Sequence, residues 1–428
     1  MTREIKYALV LICISTTARP MSGQIIEVLH SFSGPDGYSV AGGLALASDG
    51  YLYGTTVRGG DSDLGTVFRI TTDGVFTCVL SFANTNGAQP YATLIQGRDG
   101  NLYGTTSVGG RLDLNSGFGY GTVFKISPAA ALSTVASLDG TNGARPAGKL
   151  LEASDGTLYG IATAGGLYGY GTVFKIPNSG AISTLYSFDW TNGAYPRAGV
   201  IEGSDGALYG ATEGGALNSY YYGTIFRITP TGALTTLAVL PNPQTALLLA
   251  SDGNFYGAAG SDPYFIYRAT SEGAWTELAS VGGESPVGTL FQARDGGIYG
   301  AIPMAGYIFK VGTNGLLANL ARFSGSNGRL PVSELIQAND GNLYGTTDAG
   351  GANDLGTVFR LTFPTLTATR TGPYILLSWP TNQTGFNLEY SLDMTAPNWL
   401  AGPPAHISGD QYQVWTLPTV SAIYRLKK

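Results

Sequence analysis

Aromatic side chains are the residues whose type and spacing best suit recognition in this chain. The stretches "SVGGRLDLNSGFGY" (107–120), "TAGGLYGY" (163–170) and "EGGALNSYYY" (213–222) carry Phe118, Tyr120, Tyr168, Tyr170, Tyr220, Tyr221 and Tyr222. The segment "FDWTNGAYP" (188–196) adds Trp190 and Tyr195. Such rings stack on sugars or give large contact area against protein at low entropic cost. They could equally pack neighbouring loops together, and the sequence leaves both roles open. Acid–base and nucleophilic chemistry has fewer candidates. The histidines are His30 and His406 alone, far apart in the chain, and no Ser-His-Asp set follows from spacing. Carboxylates converging from different segments remain an option, with Glu213, Asp189 and Asp262 the nearest candidates. Oxygen ligands for Ca²⁺ could come from Asp61, Asp63, Asn353 and Asp354, but no EF-hand or nonapeptide pattern surrounds them. These four are expected to be solvated loop residues, so no metal and no cofactor are expected. The glycine-rich "GFGYG" opens no helix and is no phosphate loop.

The elements that position these residues repeat. Asp-Gly followed by an aromatic-Gly pair occurs seven times, at Asp49, Asp99, Asp155, Asp205, Asp252, Asp295 and Asp340, with spacings of 43–56 residues. A second signature, "GTVFRI" (65) or a variant of it, follows each. Each unit reads as four strands, A to D. In the third these are "AGKLLEAS" (147–154), "TLYGIA" (157–162), "GTVFKI" (171–176) and "ISTLYSF" (182–188). Alternating apolar, β-branched and aromatic residues make the strands, and Asp-Gly, Gly-Gly and Asn-Gly pairs make the turns. Units of this length and count predict an all-β chain and a seven-bladed β-propeller. The Asp of each unit is then a turn residue, and the Tyr of "LYG" and Phe of "TVF" pack between blades. The aromatic stretches above fall on the B–C loops, with Trp190 and Tyr195 on a D–A loop of the same face.

The seventh unit lacks a strand D, and "IIEVLHSF" (25–32) matches the D strands of other units. The N-terminal strand is therefore expected to close the last blade, with His30 structural within it. Residues 24–363 make the propeller on this reading, and 364–428 a small C-terminal β-sandwich-like module of fibronectin or immunoglobulin type. Trp379 is its expected core residue, and Asn382-Gln-Thr384 fits a glycosylation sequon. Residues 1–23 read as a secretion signal, with Arg3 and Lys6 before "YALVLICI" (7–14) and Thr16 and Ala18 at the cleavage site. That run is too short to span a membrane, and Ile12 before Cys13 does not fit a lipobox.

Composition agrees with an exported β protein. Of 428 residues 63 are Gly and 26 Tyr, charged residues are 12% and hydrophobic ones 43%. A net charge of −6 argues against nucleic acid as partner. Once Cys13 is removed with the signal, Cys78 alone remains, so no disulfide framework or Cys-based metal cluster is expected.

The repeated pattern "SF…NG..P.AGLI…DG.LYGTT..GG..G.GTVFKI" resembles the GloVer tandem repeat family, named for bacterial groups. It matches units one to four and seven closely; units five and six lack the Gly-Gly loop, and unit five lacks "GTVF". The resemblance implies an exported bacterial protein with a variable C-terminal anchor, and brings no catalytic residues with it. Three readings stay open, one of them a purely structural surface component with the tail as attachment. Another is a non-catalytic module at the cell surface or outside it, binding glycan or protein through the B–C and D–A loop face. The third is a polysaccharide lyase or glycosidase with its site at the channel mouth.

Overall fold

The computed structural model describes residues 10–12, 25–178, 180–283, 285, 287–362, 367–371, 374–380, 387–392, 400–409, 411–416 and 422–427. The expected sequon and most of residues 1–23 lie outside them. No α-helix occurs among the described residues; the helical turns are the short 3₁₀ segments Asn115–Gly117 and Ala216–Asn218. No helix there is long and apolar enough to cross a membrane.

Contacts divide the chain into a large unit, Ile26–Leu317 with Arg322–Arg360, and a small one holding Leu361–Lys428, Ala318–Ala321 and the residues up to Ile25. Among the described residues seven antiparallel sheets are built from consecutive strands of successive repeats. In the third, Leu151–Glu152, Leu158–Ala164, Thr172–Ile176 and Ser183–Ser187 pair in that order, and Ala144–Pro146 extends the first strand. The seventh differs at its outer edge, where Ile25–Ser31 pairs with Thr357–Thr362.

The turn between the first two strands explains why Asp and Tyr recur together. At all seven positions the Asp Oδ1 accepts the backbone N–H two residues on, at 2.8–3.1 Å. At six of them Oδ2 also accepts the hydroxyl of the Tyr four residues on, at 2.7–3.1 Å; Asp155 is the exception. The Tyr rings sit in the core between sheets. Tyr53 of the first sheet packs with Leu94 and Phe124 of the second, and Tyr209 of the fourth with Phe255 of the fifth. Each of these six Tyr is thus apolar along its ring and satisfied at its tip.

This arrangement has a pH signature. Burial, then the adjacent carboxylate, pushes Tyr103 and Tyr256 up to about 12 and raises Tyr299 and Tyr344 further. A phenol raised in the fold contributes stability that is complete below the unfolded value of about 10 and lost as pH rises through the folded one. Alkaline titration should therefore show the sheet circular dichroism collapsing between about pH 10 and 12 together with delayed phenolate absorbance. Free ionisation of every Tyr near pH 10 with the sheets intact would contradict this account.

Residues at or just before the first strands of all seven sheets line one channel of about 570 Å³, such as Gly43, Thr93, Lys149, Gly199, Thr245, Leu290 and Glu334. Small residues are required there because neighbouring strands nearly touch. A Cβ on Gly199 would lie 2.2 Å from the Lys149 carbonyl oxygen. Across the lumen Lys149 Nζ meets Glu334 Oε2 at 3.3 Å.

The small unit has two sheets, with Thr367–Thr371, Tyr374–Pro380, Gln411–Thr416 and His406–Ser408 in one. The other holds Asn387–Ser391, Ala422–Lys427 and Leu400–Ala401, with Val10–Ile12 added in parallel to Ala422–Lys427. Both sheets contribute to one buried cluster around Trp379, which is 1% exposed.

Candidate functional site

The site begins with buried threonines. In four repeats the Thr ending strand B and the Thr opening strand C share a hydrogen bond at 2.8–2.9 Å, as Thr212 and Thr224 do. The second Thr also reaches the D–A loop. Thr66, Thr122, Thr172 and Thr224 donate to the carbonyls of Asp36, Asn86, Asn142 and Asn192 at 3.0–3.3 Å. The next residue must be Gly. Gly193 has φ +126°, and a Cβ there would lie 2.6 Å from Thr212 Oγ1. Ala194 then pairs with Gly214, Tyr195 N–H donates to the Tyr170 carbonyl at 2.9 Å, and Glu213 N–H donates to the Tyr195 carbonyl at 3.3 Å. A hydroxyl clasp at the rim of the sheet thereby holds the loop over the mouth of the channel.

The same loop adopts an unusual backbone at one recurring station. Ser39, Gln89, Arg145, Tyr195, Asn242 and Leu330 have φ between 42° and 57°. All but Ser39 precede a proline. Non-glycine residues in this left-handed region cost roughly 1–3 kcal/mol each, and the residue before proline is further restricted. Glycine would avoid much of the strain, yet six repeats place six different side chains there.

Three of these side chains line one cavity of about 880 Å³, together with Tyr91, Ser107, Thr163, Arg197, Glu213 and Tyr220 among others: they are Gln89, Arg145 and Tyr195. Tyr91, Ala147 and Arg197 also line the channel, so the cavity opens onto it. Arg197 Nε donates to Glu213 Oε2 at 2.5 Å. Arg145 is exposed, and no carboxylate lies within 4.0 Å of its guanidinium among the described residues.

Four of the nine aromatic candidates converge beside this cavity, and two of them, Tyr195 and Tyr220, line it. Trp190 lies 4.4 Å from Tyr220, 5.1 Å from Tyr170 and 6.2 Å from Tyr195, ring centre to ring centre. Tyr195 and Tyr220 are nearly parallel, 6.4 Å apart with a 14° interplanar angle. Tyr220 stays 66% exposed, while Tyr170, Trp190 and Tyr195 are half-buried. Burial, with Tyr220, Tyr170 and Glu213 nearby, raises the Tyr195 phenol above its ordinary value, keeping it a protonated donor. The cluster can offer ring faces and hydroxyls together.

The other five candidates stand elsewhere. Tyr120 packs against Gly140 and joins a core cluster as a partly buried ring. Phe118, Tyr168, Tyr221 and Tyr222 are exposed, make no ring contact among the described residues and do not line the cavity. Of the carboxylate candidates, Glu213 lines the cavity. Asp189 instead closes its own loop, accepting from the N–H and hydroxyl of Thr191 at 3.0 and 2.8 Å. Asp262 sits in the fifth sheet's loop, outside the lining. Asp63 and Asp354 brace their loops in the same way, each accepting the N–H of the first glycine of a Gly-Gly pair at 2.9 Å. Asp354 also accepts from Arg329 at 3.0 Å, and Asn353 donates to the Phe32 carbonyl at 2.9 Å. No group of three His, Cys, Asp or Glu side chains among the described residues is placed to hold a metal ion. His30 is 2.9 Å from Asp36 and stacked on Phe76 at 3.7 Å. His406 is in the small unit.

Sequence reasoning on aromatic content passed over Gln89, Arg145 and Arg197. Their signal was present: "NGAQP" (86–90), "NGARP" (142–146), "NGAYP" (192–196) and "NGRLP" (327–331) keep Asn-Gly and Pro and change the residue before the proline. Binding residues concentrate on loops of this kind held by a rigid scaffold.

Two segments of the chain, 17–118 and 113–262, match the model of the Gloeobacter/Verrucomicrobia repeat. No curated protein matches the chain in sequence. Among solved structures, streptogramin B lyase is similar over 80% of this chain and 99% of its own, at 17% identity and a TM-score of 0.58. A catalytically inactive virginiamycin B lyase from Staphylococcus aureus with quinupristin is similar over 79% of this chain and 99% of its own (16% identity, TM-score 0.56). The extracellular domain of a hybrid two-component system from B. thetaiotaomicron is similar over 96% of this chain and 56% of its own (11% identity, TM-score 0.52). At these identities the likeness concerns the fold, a β-propeller.

Proposed function

The chain belongs to the Gloeobacter/Verrucomicrobia repeat family, and from that premise we propose that it is an exported, non-catalytic β-propeller that binds saccharide through its B–C and D–A loop face. The observation that carries this is the cluster of Tyr170, Trp190, Tyr195 and Tyr220 beside a cavity of about 880 Å³. Ring faces with hydroxyl, amide and guanidinium groups around them suit the mixed apolar and polar surface of a sugar. Seven sheets sharing one channel support a ring of seven blades, closed by Ile25–Ser31 as the outer strand of the last. Residues 1–23 serve as the export signal on this reading. Residues 364–428, sandwich-like, serve for attachment.

The lyase and glycosidase alternative draws on Glu213, the one carboxylate of the cavity lining. Hydrolysis of a glycosidic bond uses two carboxylates, and Glu213 is held by Arg197; a lyase needs one base beside a uronate's acidic C–H, and the raised Tyr195 phenol stays protonated. Binding is therefore the better reading. A polysaccharide array probed with the full chain, run beside assays for new reducing ends and unsaturated products, tests it. We expect retention of saccharide without product. Turnover would replace this reading with the enzymatic one, and an array with no bound saccharide would end it.

A further inference from the structure

Building on the saccharide reading, we propose that the cavity selects acidic saccharides. Arg145 holds a ligand carboxylate or sulfate, and Gln89 and Tyr195 read the neighbouring units from the equivalent left-handed stations. Charge is the first support. The chain carries a net −6, yet the cavity lining holds Arg145 and Arg197 against Glu213 alone, one positive charge in excess. Arg197 is committed to Glu213, whereas the exposed Arg145 guanidinium has no carboxylate within 4.0 Å among the described residues. A planar guanidinium in a cleft is suited to bidentate capture of a carboxylate or sulfate.

The backbone is the second support, and it is independent of charge. Gln89, Arg145 and Tyr195 stand at φ 57°, 55° and 56° in three successive repeats, each before a proline and each in a loop whose Asn carbonyl accepts a Thr hydroxyl at 3.0–3.3 Å. Three side chains at one station, offset by one repeat each, present amide, cation and phenol along one wall of the cavity. An extended chain of sugars would meet them in turn. Strain retained at a site where glycine would relieve it points to the side chains as what the station is for.

The test uses the full chain on an array of acidic polysaccharides (polygalacturonate, alginate, hyaluronan) and neutral ones (galactan, xylan, mannan). Wild type, Arg145→Gly and Arg145→Gln are compared at low and high salt, with melting temperature measured for each. Arg145→Gly should fold with an unchanged or raised melting temperature, because the strain is removed. Both variants should lose acidic polysaccharide binding by about tenfold or more, and wild-type binding should weaken as salt rises. Retention of neutral polysaccharides by wild type, indifferent to salt and to Arg145, would overturn the charge selection and leave the saccharide reading standing. An array with nothing bound would overturn both. Acidic binding that survives both variants would remove Arg145 from the site. A glycine variant that melts markedly lower would refute the strained-station argument, and the glutamine variant then still reads the charge contribution.

Discussion

Deleting residues 25–32 should abolish cooperative folding of the large unit or lower its melting temperature more than any single core substitution does. Ile25–Ser31 is the outer strand of a sheet whose other strands come from the far end of the same unit. Phe32 N–H donates to the Gly356 carbonyl at 3.1 Å, and Arg360 grips Glu27 through Nε at 3.1 Å and Nη2 at 2.5 Å. Phe32 is fully buried against Phe68, Tyr344 and Val358, so it joins residues of the first and seventh repeats. Removing its ring alone, by Phe32→Ala, costs about 3–5 kcal/mol. Deleting the strand removes that ring and the ladder together, and it leaves Thr357–Thr362 as an open edge prone to aggregation. A peptide covering residues 24–33, added in trans, should restore part of the lost stability. An unchanged melting temperature in the deletion would show that the large unit does not depend on this strand. The strand also carries a pH dependence. Burial lowers His30 below its ordinary value despite Asp36 beside it. Its contribution is therefore complete above about pH 6.5 and lost as pH falls through the folded value.

The second large effect concerns binding. Replacing Trp190, Tyr195 and Tyr220 together by alanine should lower saccharide affinity by about 100-fold or more. A central aromatic anchor is worth about 2 kcal/mol on truncation, and each 1.4 kcal/mol is about tenfold. The three rings touch one another, so their losses will not add, and the triple variant should fall short of the summed singles. Replacing the outlying Tyr168 and Tyr221 should cost less. The fold should survive, because the rings sit on a loop frame held by the Thr212–Thr224 clasp and not in the core between sheets. Affinity unchanged in the triple variant, with the circular dichroism intact, would place the site elsewhere.

Much of this chain was readable from its letters because its order is local. Asp49 and its six equivalents act within two to four residues, accepting from the next strand's N–H and usually from its Tyr, so the turn and strand pattern is written in each repeat. The outer strand Ile25–Ser31 was legible for a related reason: a D-type strand stood spare at one end and was missing at the other. The Asp-Gly ring could be set aside as turn chemistry on the same grounds.

Tertiary structure decided what no local rule contains. Phe118, Tyr168 and Trp190 look alike as exposed-loop aromatics in the sequence, yet only Trp190 meets Tyr170, Tyr195 and Tyr220, because those rings arrive from adjacent sheets. Gln89, Arg145 and Tyr195 are 50 or more residues apart and share the frame of "NGAQP", "NGARP" and "NGAYP", which does not say what they face. They face one cavity because one loop form, anchored by a Thr hydroxyl on its Asn carbonyl and followed by proline, sets each in the left-handed region at the same station. Repetition along the chain determined the scaffold, since each unit carries its own turns and strands. Closure in space determined the site, since its parts belong to different units and meet only when the sheets surround one channel.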